Sequence, residues 1–369
     1  MDLEFLNPLY EHPGPWASVY ADTSRRTEST PDERSLEALS VSRTLAEQGA
    51  DEATCRAVRT AMEDLRLSTE PFGRALFATA GTVVLDPPLT VAPGGDQVHW
   101  GALPHTAPLL ELAGEDPVCL VAYVDRRGAD FELRAARGTQ DAGAVAGRQW
   151  PVHRTASSDW SERHFQLRVE NTWEHNAAEI ADALTVCQEE TRAELLILVG
   201  DDRQRRAVHE RLPQRLHPQT VEAAHGATSR LLDEEVDQAR ADHARRRAAE
   251  DLERFLAALA PDEEGRTGAV EGVPALIEAA REHRIAELLV RPGAPDARRE
   301  VWVGPDPDQL AVRRTEVKEP LGEPEPQPAR ADDALLRSAV ATDAEARSLA
   351  TARPLDSPAG GLGALLRWR

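Results

Sequence analysis

Two stretches of this chain are apolar almost without a break, Val118–Val124 and Leu195–Val199. A strand with one wet face alternates apolar and polar side chains, so uninterrupted runs of this length read as strands covered on both faces. Asp125–Gly128 reads as a turn, and Ala129–Arg134 alternates like the hairpin partner of the first run. Residues 163–190 read as a long helix, 202–212 as a basic helix behind the second run, and 230–260 as a helix rich in both charge signs. The fold class these segments predict is α/β.

The flanks follow a different pattern. Trp16–Tyr20 reads as a short strand. Ser29-Thr30-Pro31-Asp32-Glu33 supplies a capping hydroxyl, a proline for the first helical position and acids for the first turn. Helices are expected over 33–48 and 51–67, strands over 73–79 and 82–85, and mostly loop from Pro87 to Pro108. After Pro261–Gly265, the residues Val270, Val273, Leu276, Ile277 and Ala280 fall on one helical face. Glu287–Val290 and Val301–Val303 read as strands, Pro320–Pro328 as a linker, 332–350 as helix, and Gly363–Trp368 as a final edge strand. A chain of 369 residues exceeds one compact core. The pattern divides it into an α+β domain at 1–113, a central α/β domain at 114–262 and an α/β/α domain at 263–369.

Charge narrows the function. With 64 acids against 43 basic residues, the net charge of −21 excludes a protein that binds nucleic acid over its whole surface. The sum is uneven, however: the three domains carry −9, −8 and −4. Residues 126–168 hold eight arginines against five acids, and 203–217 hold five arginines against one. Read blandly, these are solvated helix faces; read functionally, they are phosphate-binding islands on a repelling body. All basic residues but Lys318 are arginine, the side chain better suited to phosphate.

Common catalytic motifs are missing. His209-Glu210 lacks the second histidine of a zinc-peptidase helix, and no phosphate-binding GxxxxGK[ST] loop or Gly-x-Ser-x-Gly elbow occurs. Gly360–Gly363 precedes a strand-like segment, the wrong context for a phosphate loop. Cys55, Cys119 and Cys187 are too scattered for a disulfide framework or a zinc site and read as reduced thiols. No metal or cofactor is expected, and neither is a membrane span, since no apolar run reaches about 18 residues. The start of the chain has no secretory pattern. These signs point to a cytoplasmic protein.

The order of the segments resembles the archaeo-eukaryotic class I release factors and Pelota. Val118–Arg134 resembles that family's central hairpin, and Phe165–Glu170 through His175-Asn176 to Ile180-Ala181 its long helix. Gly268–Val270 through Glu287–Val290 resembles its ribosomal-protein-like C-terminal domain. Trp16–Tyr20, Gly73–Leu76, Trp150–His153 and Gly363–Arg367 are similar to the bacterial, actinobacterial branch. The resemblance implies three domains and a ribosomal partner, namely the rRNA of the A site and peptidyl-transferase centre. It also implies elongation factor Tu as a companion and a monomeric state.

Two departures qualify it. The family's Gly-Gly-Gln should fall near Asp159-Trp160-Ser161, where no glycine or glutamine stands, and the codon-reading Asn-Ile-Lys-Ser is missing. Gly138-Thr139-Gln140 comes too early in the domain and reads as a turn. Loss of both motifs implies a hibernation or stress factor that occupies the A site without terminating translation. The alternative is a peptidyl-tRNA hydrolase acting in ribosome rescue, with Gln166, on the long helix, as the stand-in catalytic residue. In the first reading Arg154, Arg163, Arg168, Arg203, Arg205 and Arg206 would meet phosphates. His153, Trp160 and His164 would stack on bases, beside Ser158 and Asp159 of the same loop. Trp160 packed on its own helix, and His153 in a loop hydrogen bond, are the bland readings.

Overall fold

The computed structural model describes residues 3–23, 31–65, 73–113, 117–125, 128–134, 163–168, 173–319, 321–353 and 357–368. Residues 1–115 and 247–369 form one compact unit, the terminal unit, and 116–246 form a second, the central unit.

The N-terminal part of the terminal unit contains α1 (Asn7–Tyr10), β1 (Trp16–Asp22), α2 (Pro31–Glu47), α3 (Glu52–Glu63), β2 (Gly73–Thr79), β3 (Thr82–Leu85), β4 (Pro88–Leu89), β5 (Gln97–Gly101) and α4 (Leu109–Leu112). The strands make an antiparallel sheet in the order β3-β2-β1-β5, with β4 also on β2. Alternation along β1 sends Ala17, Val19 and Ala21 to α2 and α3, where Ala38, Val41, Leu45, Val58 and Met62 pack on them. Trp16 and Tyr20 face the other way, into a core shared with the C-terminal part. The stretch expected to be loop thus contributes a strand, β5, whose Val98 and Trp100 pack on the helical face.

The central unit contains β6 (Cys119–Val124), β7 (Gly128–Arg134), β8 (Arg163–Arg168), α5 (Trp173–Thr191), β9 (Leu195–Gly200), α6 (Asp202–His209), β10 (Thr220–Glu222) and the start of α7 (Leu231–Leu259). Its sheet runs β10-β9-β6-β7-β8, parallel among the first three strands and antiparallel thereafter. Both apolar runs are sandwiched as their composition demands. Leu120, Ala122, Leu196 and Leu198 pack on α5 and α6 through Ile180, Leu184 and Val208. Cys119, Val121, Leu195, Ile197 and Val199 pack on α7 through Leu232 and Val236.

The expected helix at 163–190 is corrected: residues 163–168 form β8, and the helix starts at Trp173. Arg-His-Phe-Gln-Leu-Arg has the two-residue period of a strand, which a single helical reading overrode.

The C-terminal part of the terminal unit adds β11 (Ala269–Glu271), α8 (Val273–Arg281), β12 (Ile285–Val290), β13 (Glu300–Val303), β14 (Leu310–Ala311), α9 (Arg314–Lys318), β15 (Gln327–Arg330), α10 (Ala331–Ala341), β16 (Glu345–Ser348) and β17 (Leu362–Leu366). A four-stranded sheet, β11-β17-β12-β16, carries α8 and α10 in the shared core on one face. Leu252 and Phe255 from the end of α7 pack on Ala269, Leu289 and Leu349 on the other. Two expectations are corrected here. The helix of 332–350 stops at Ala341, where Asp343 takes a left-handed φ of 50°, and Glu345–Ser348 pairs with β12. The last strand is interior, between β11 and β12, which suits its run of small and apolar residues. Among the described residues no helix is long and apolar enough to cross a membrane.

Gly200, at the end of β9, has φ +152°, and a Cβ there would run into the Val124 carbonyl of the neighbouring strand. Gly200→Ala should therefore destabilise the central unit by about 2 kcal/mol, read as a shifted denaturation midpoint. An unchanged midpoint would contradict the close approach of β9 to β6.

Candidate nucleic-acid interface

Asp201 caps α6 by accepting the Arg203 amide at 3.1 Å, and Asp202 stands in the first turn, where the helix dipole favours acids. From that start Arg203 and Arg206 project into solvent, with no acid partner among the described residues. Arg205 points inward instead. It is 8% exposed, donates to the Ala223 carbonyl, and pairs with Asp202 at 2.5 Å. The arginine placed with the other two for phosphate contact therefore joins α6 to the end of β10.

The rest of this island is partly committed. Arg211 donates to the Ala207 carbonyl at 2.8 Å, and Arg215 pairs with Glu189 of α5. His209 Nδ1 lies 2.9 Å from Glu222 Oε1, its ring edge-on to His217 at 4.9 Å, and His217 Nε2 lies 2.9 Å from the Leu212 carbonyl.

Arg163, His164, Gln166 and Arg168 all fall on β8. Gln166, expected on the helix, stands in that strand opposite Asp130, with His164 opposite Glu132. Arg163 and Arg168 lie at opposite ends of β8, five steps or about 17 Å apart. Because Arg168 pairs with Gly128, and Val124 with both Ala129 and Gly200, Arg168 shares its end of the sheet with the start of α6. Three strand spacings, about 14 Å, separate β8 from β9 there. Arg163 pairs with Leu133 at the far end, beside Arg134. His153, Arg154, Ser158, Asp159 and Trp160, and Gly138-Thr139-Gln140, lie outside the described residues.

A second polar constellation, in the terminal unit, went unforeseen. Asp333, at the start of α10 and 1% exposed, accepts the amides of Thr106 at 2.9 Å and Ala107 at 3.2 Å through Oδ1. Its Oδ2 lies 2.8 Å from His105 Nδ1. Arg330 closes on Asp332 at 3.0 and 2.5 Å and reaches Asp333 at 3.6 Å. Tyr20 donates to the His105 carbonyl at 2.6 Å, and His99 stacks near the His105 ring at 5.0 Å. Burial by itself would raise the Asp333 carboxyl, but His105 and Arg330 outweigh it and hold the group below the usual carboxylate range. Burial and the adjacent Asp333 push Asp332 up to about 6, while burial and His105 push His99 down to about 4. Candidate ligand atoms of His105, Asp332 and Asp333 lie within 4.8 Å of one another. Both carboxylates are already engaged by Arg330 and by backbone amides, so this geometry serves packing. Residues 332–350 read in sequence only as a helix; all ten residues from Ala331 to Val340 are buried, and the seven that are apolar or small are the signal that this helix has no wet face and must bury its two acids.

Compared with known proteins, residues 118–261 match the sequence model of bacterial archaeo-eukaryotic release factor family 2. The whole chain is 29% identical to a Mycobacterium tuberculosis protein, the uncharacterized protein Rv2629, over 97% of that protein's length. Among solved structures it is similar to Pelota of Archaeoglobus fulgidus, at 15% identity and a TM-score of 0.36, covering 100% of this chain and 92% of that one. It is also similar to Dom34 of S. cerevisiae, a translation termination-like factor, at 10% identity and a TM-score of 0.41, with the same coverage of both chains.

Two outcomes test the buried cluster. Asp333→Asn leaves Arg330 and His105 facing a neutral group and should cost about 3 kcal/mol in a denaturant titration; a loss within error would reduce the cluster to ornament. The pH dependence has a defined sign. With its folded pKa depressed to about 4, His99 contributes stability that is complete above its ordinary 6.5 and lost as pH falls toward 4. Asp332, raised to about 6, acts in the opposite sense as pH falls below 6. His99→Gln should therefore lose less stability between pH 6.5 and 4 than the unaltered protein, and equal losses would contradict the burial of that ring.

Proposed function

We propose, from the premise that residues 118–261 match bacterial archaeo-eukaryotic release factor family 2, that this chain is a ribosome-binding translation factor that does not release peptide. The observation that carries the reading is the pairing of that match with a sequence containing neither Gly-Gly-Gln nor Asn-Ile-Lys-Ser. A factor that keeps the scaffold and lacks both motifs is suited to occupying the A site of idle ribosomes, as a hibernation or stress factor in the cytoplasm. In this reading 1–113, 114–262 and 263–369 divide the roles of decoding-site contact, approach to the peptidyl-transferase centre and partner docking. The protein acts as a monomer, with elongation factor Tu as its companion.

Arg203 and Arg206, with no acid partner among the described residues, supply positive charge at the end of the central sheet that also carries Arg168. Arg163 stands at the other end, where residues 135–162 begin and end, and His153, Arg154 and Trp160 fall within that segment. An acidic body bearing local arginines disfavours indiscriminate RNA binding, so recognition rests on shape and on a few phosphates.

Purified protein should co-sediment with 70S ribosomes from starved cells at low salt. Arg203→Gln with Arg206→Gln should lower the slope of log affinity against log salt by about 1 for each phosphate that then goes unneutralised. Failure to co-sediment would end the proposal. Release of peptide from peptidyl-tRNA, abolished by Gln166→Ala, would replace it with the hydrolase alternative.

A further inference from the structure

Where β7 ends, four side chains join three elements of the central unit. Glu132, 5% exposed, accepts the Tyr123 hydroxyl at 2.6 Å and Arg134 Nε at 2.9 Å. Arg134 also donates through Nη2 to the Tyr123 oxygen at 3.1 Å and through Nη1 to Asp233 Oδ1 at 2.8 Å. Tyr123 belongs to β6, Glu132 and Arg134 to β7, and Asp233 to the first turn of α7. Burial, and the hydrogen bond to Glu132, push the Tyr123 hydroxyl up to about 12, so it stays a proton donor at every physiological pH.

The position of this network matters more than its strength. Arg134 is the last residue of β7, and Leu133 beside it pairs with Arg163, the first residue of β8. The described ends of β7 and β8 thus stand side by side at the level of the network. Among the described residues β8 has a strand neighbour on one side only, so its direction depends on how firmly β7 is held. Apolar packing holds β7 on one face only, through Ala129, Phe131 and Leu133, and stops short of Arg134, while the core on the other face takes no residue of β7. Arg134 has all three of its nitrogens engaged, which leaves it poorly placed to meet a phosphate itself.

We propose that Arg134 is a positioning residue: through Glu132, Tyr123 and Asp233 it fixes β7, and the β8 strand paired to it, to α7, and so sets where residues 163–168 meet the ribosome. The second half rests on the function proposed above; the first half does not. A guanidinium suits the task because its planar fork satisfies Glu132, the Tyr123 oxygen and Asp233 at once, which a lysine ammonium on its flexible stem does not.

Asp233→Asn is the informative variant, because it leaves the buried Glu132–Arg134 pair intact and weakens only the tie to α7. Hydrogen exchange should quicken at the amides of 163–168 and stay unchanged in β9. Affinity for 70S ribosomes should fall by about tenfold with the salt slope unaltered, since every arginine that faces a phosphate is still present. Asp233→Glu should restore both, and Arg134→Lys should show the same changes more strongly. Unchanged exchange at 163–168 would overturn the anchor. A salt slope lowered by about 1 in Arg134→Gln, which removes the charge that lysine keeps, would make Arg134 a direct phosphate ligand and overturn the positioning role. If the unaltered protein binds no ribosome, the functional reading falls, and the exchange result alone decides whether the stem is anchored.

Discussion

A carboxylate that is almost wholly removed from water holds the terminal unit together. Asp333 receives two backbone amides and lies against the imidazole of the loop after β5, while its neighbour Asp332 is gripped by Arg330 from the end of β15. Residues more than 220 positions apart in the chain are joined there. An apolar contact would have joined the same surfaces without regard to register, whereas a buried charge tolerates only the arrangement that supplies its partners. Tyr20 on β1 and the loop at His105 are thereby set against α10, and the shared apolar core closes around them. Residues 1–115 and 247–369 are thus joined in one unit by this polar cluster together with the shared apolar core.

The central unit solves a different problem. Its two apolar strands need cover on both faces, which α5 and α6 provide on one side and α7 on the other. This part of the fold was legible in sequence because Val118–Val124 and Leu195–Val199 allow no wet face. The hairpin partner at Ala129–Arg134 was legible from its alternation, and α7 from its length. Strand β8 was missed because its six residues precede a genuine helix, and one long helical reading absorbed both. The strand Glu345–Ser348 was missed for the same reason, since the turn at Thr342-Asp343 carries neither glycine nor proline. Register cannot be read from local periodicity, so the pairing of Gln166 with Asp130 needed the structure.

The candidate site shows the same limit. Counting arginines located an island at 203–217, but charge counting does not distinguish a side chain facing water from one facing a carbonyl. Arg203 and Arg206 face solvent, while Arg205 directs its charge inside the unit, to Asp202 and Ala223. The buried cluster at His105 and Asp333 was invisible for a related reason: its members are scattered along the chain and form a site only after the two ends meet. Net charge of −21 is thus a property of the body of the protein. Under the proposed function, specific contact with RNA would rest on arginines such as Arg203 and Arg206, which have no acid partner among the described residues.

Electron cryo-microscopy of the protein on idle 70S ribosomes tests most directly whether the chain enters the ribosomal A site with its central unit directed toward the peptidyl-transferase centre. The expected result is density for the whole chain in the A site, with Arg163–Arg168 of β8 nearest the peptidyl-transferase centre and Arg203 and Arg206 against rRNA phosphates. Density elsewhere on the ribosome, or an A-site complex with the central unit turned away from the large subunit, would contradict it.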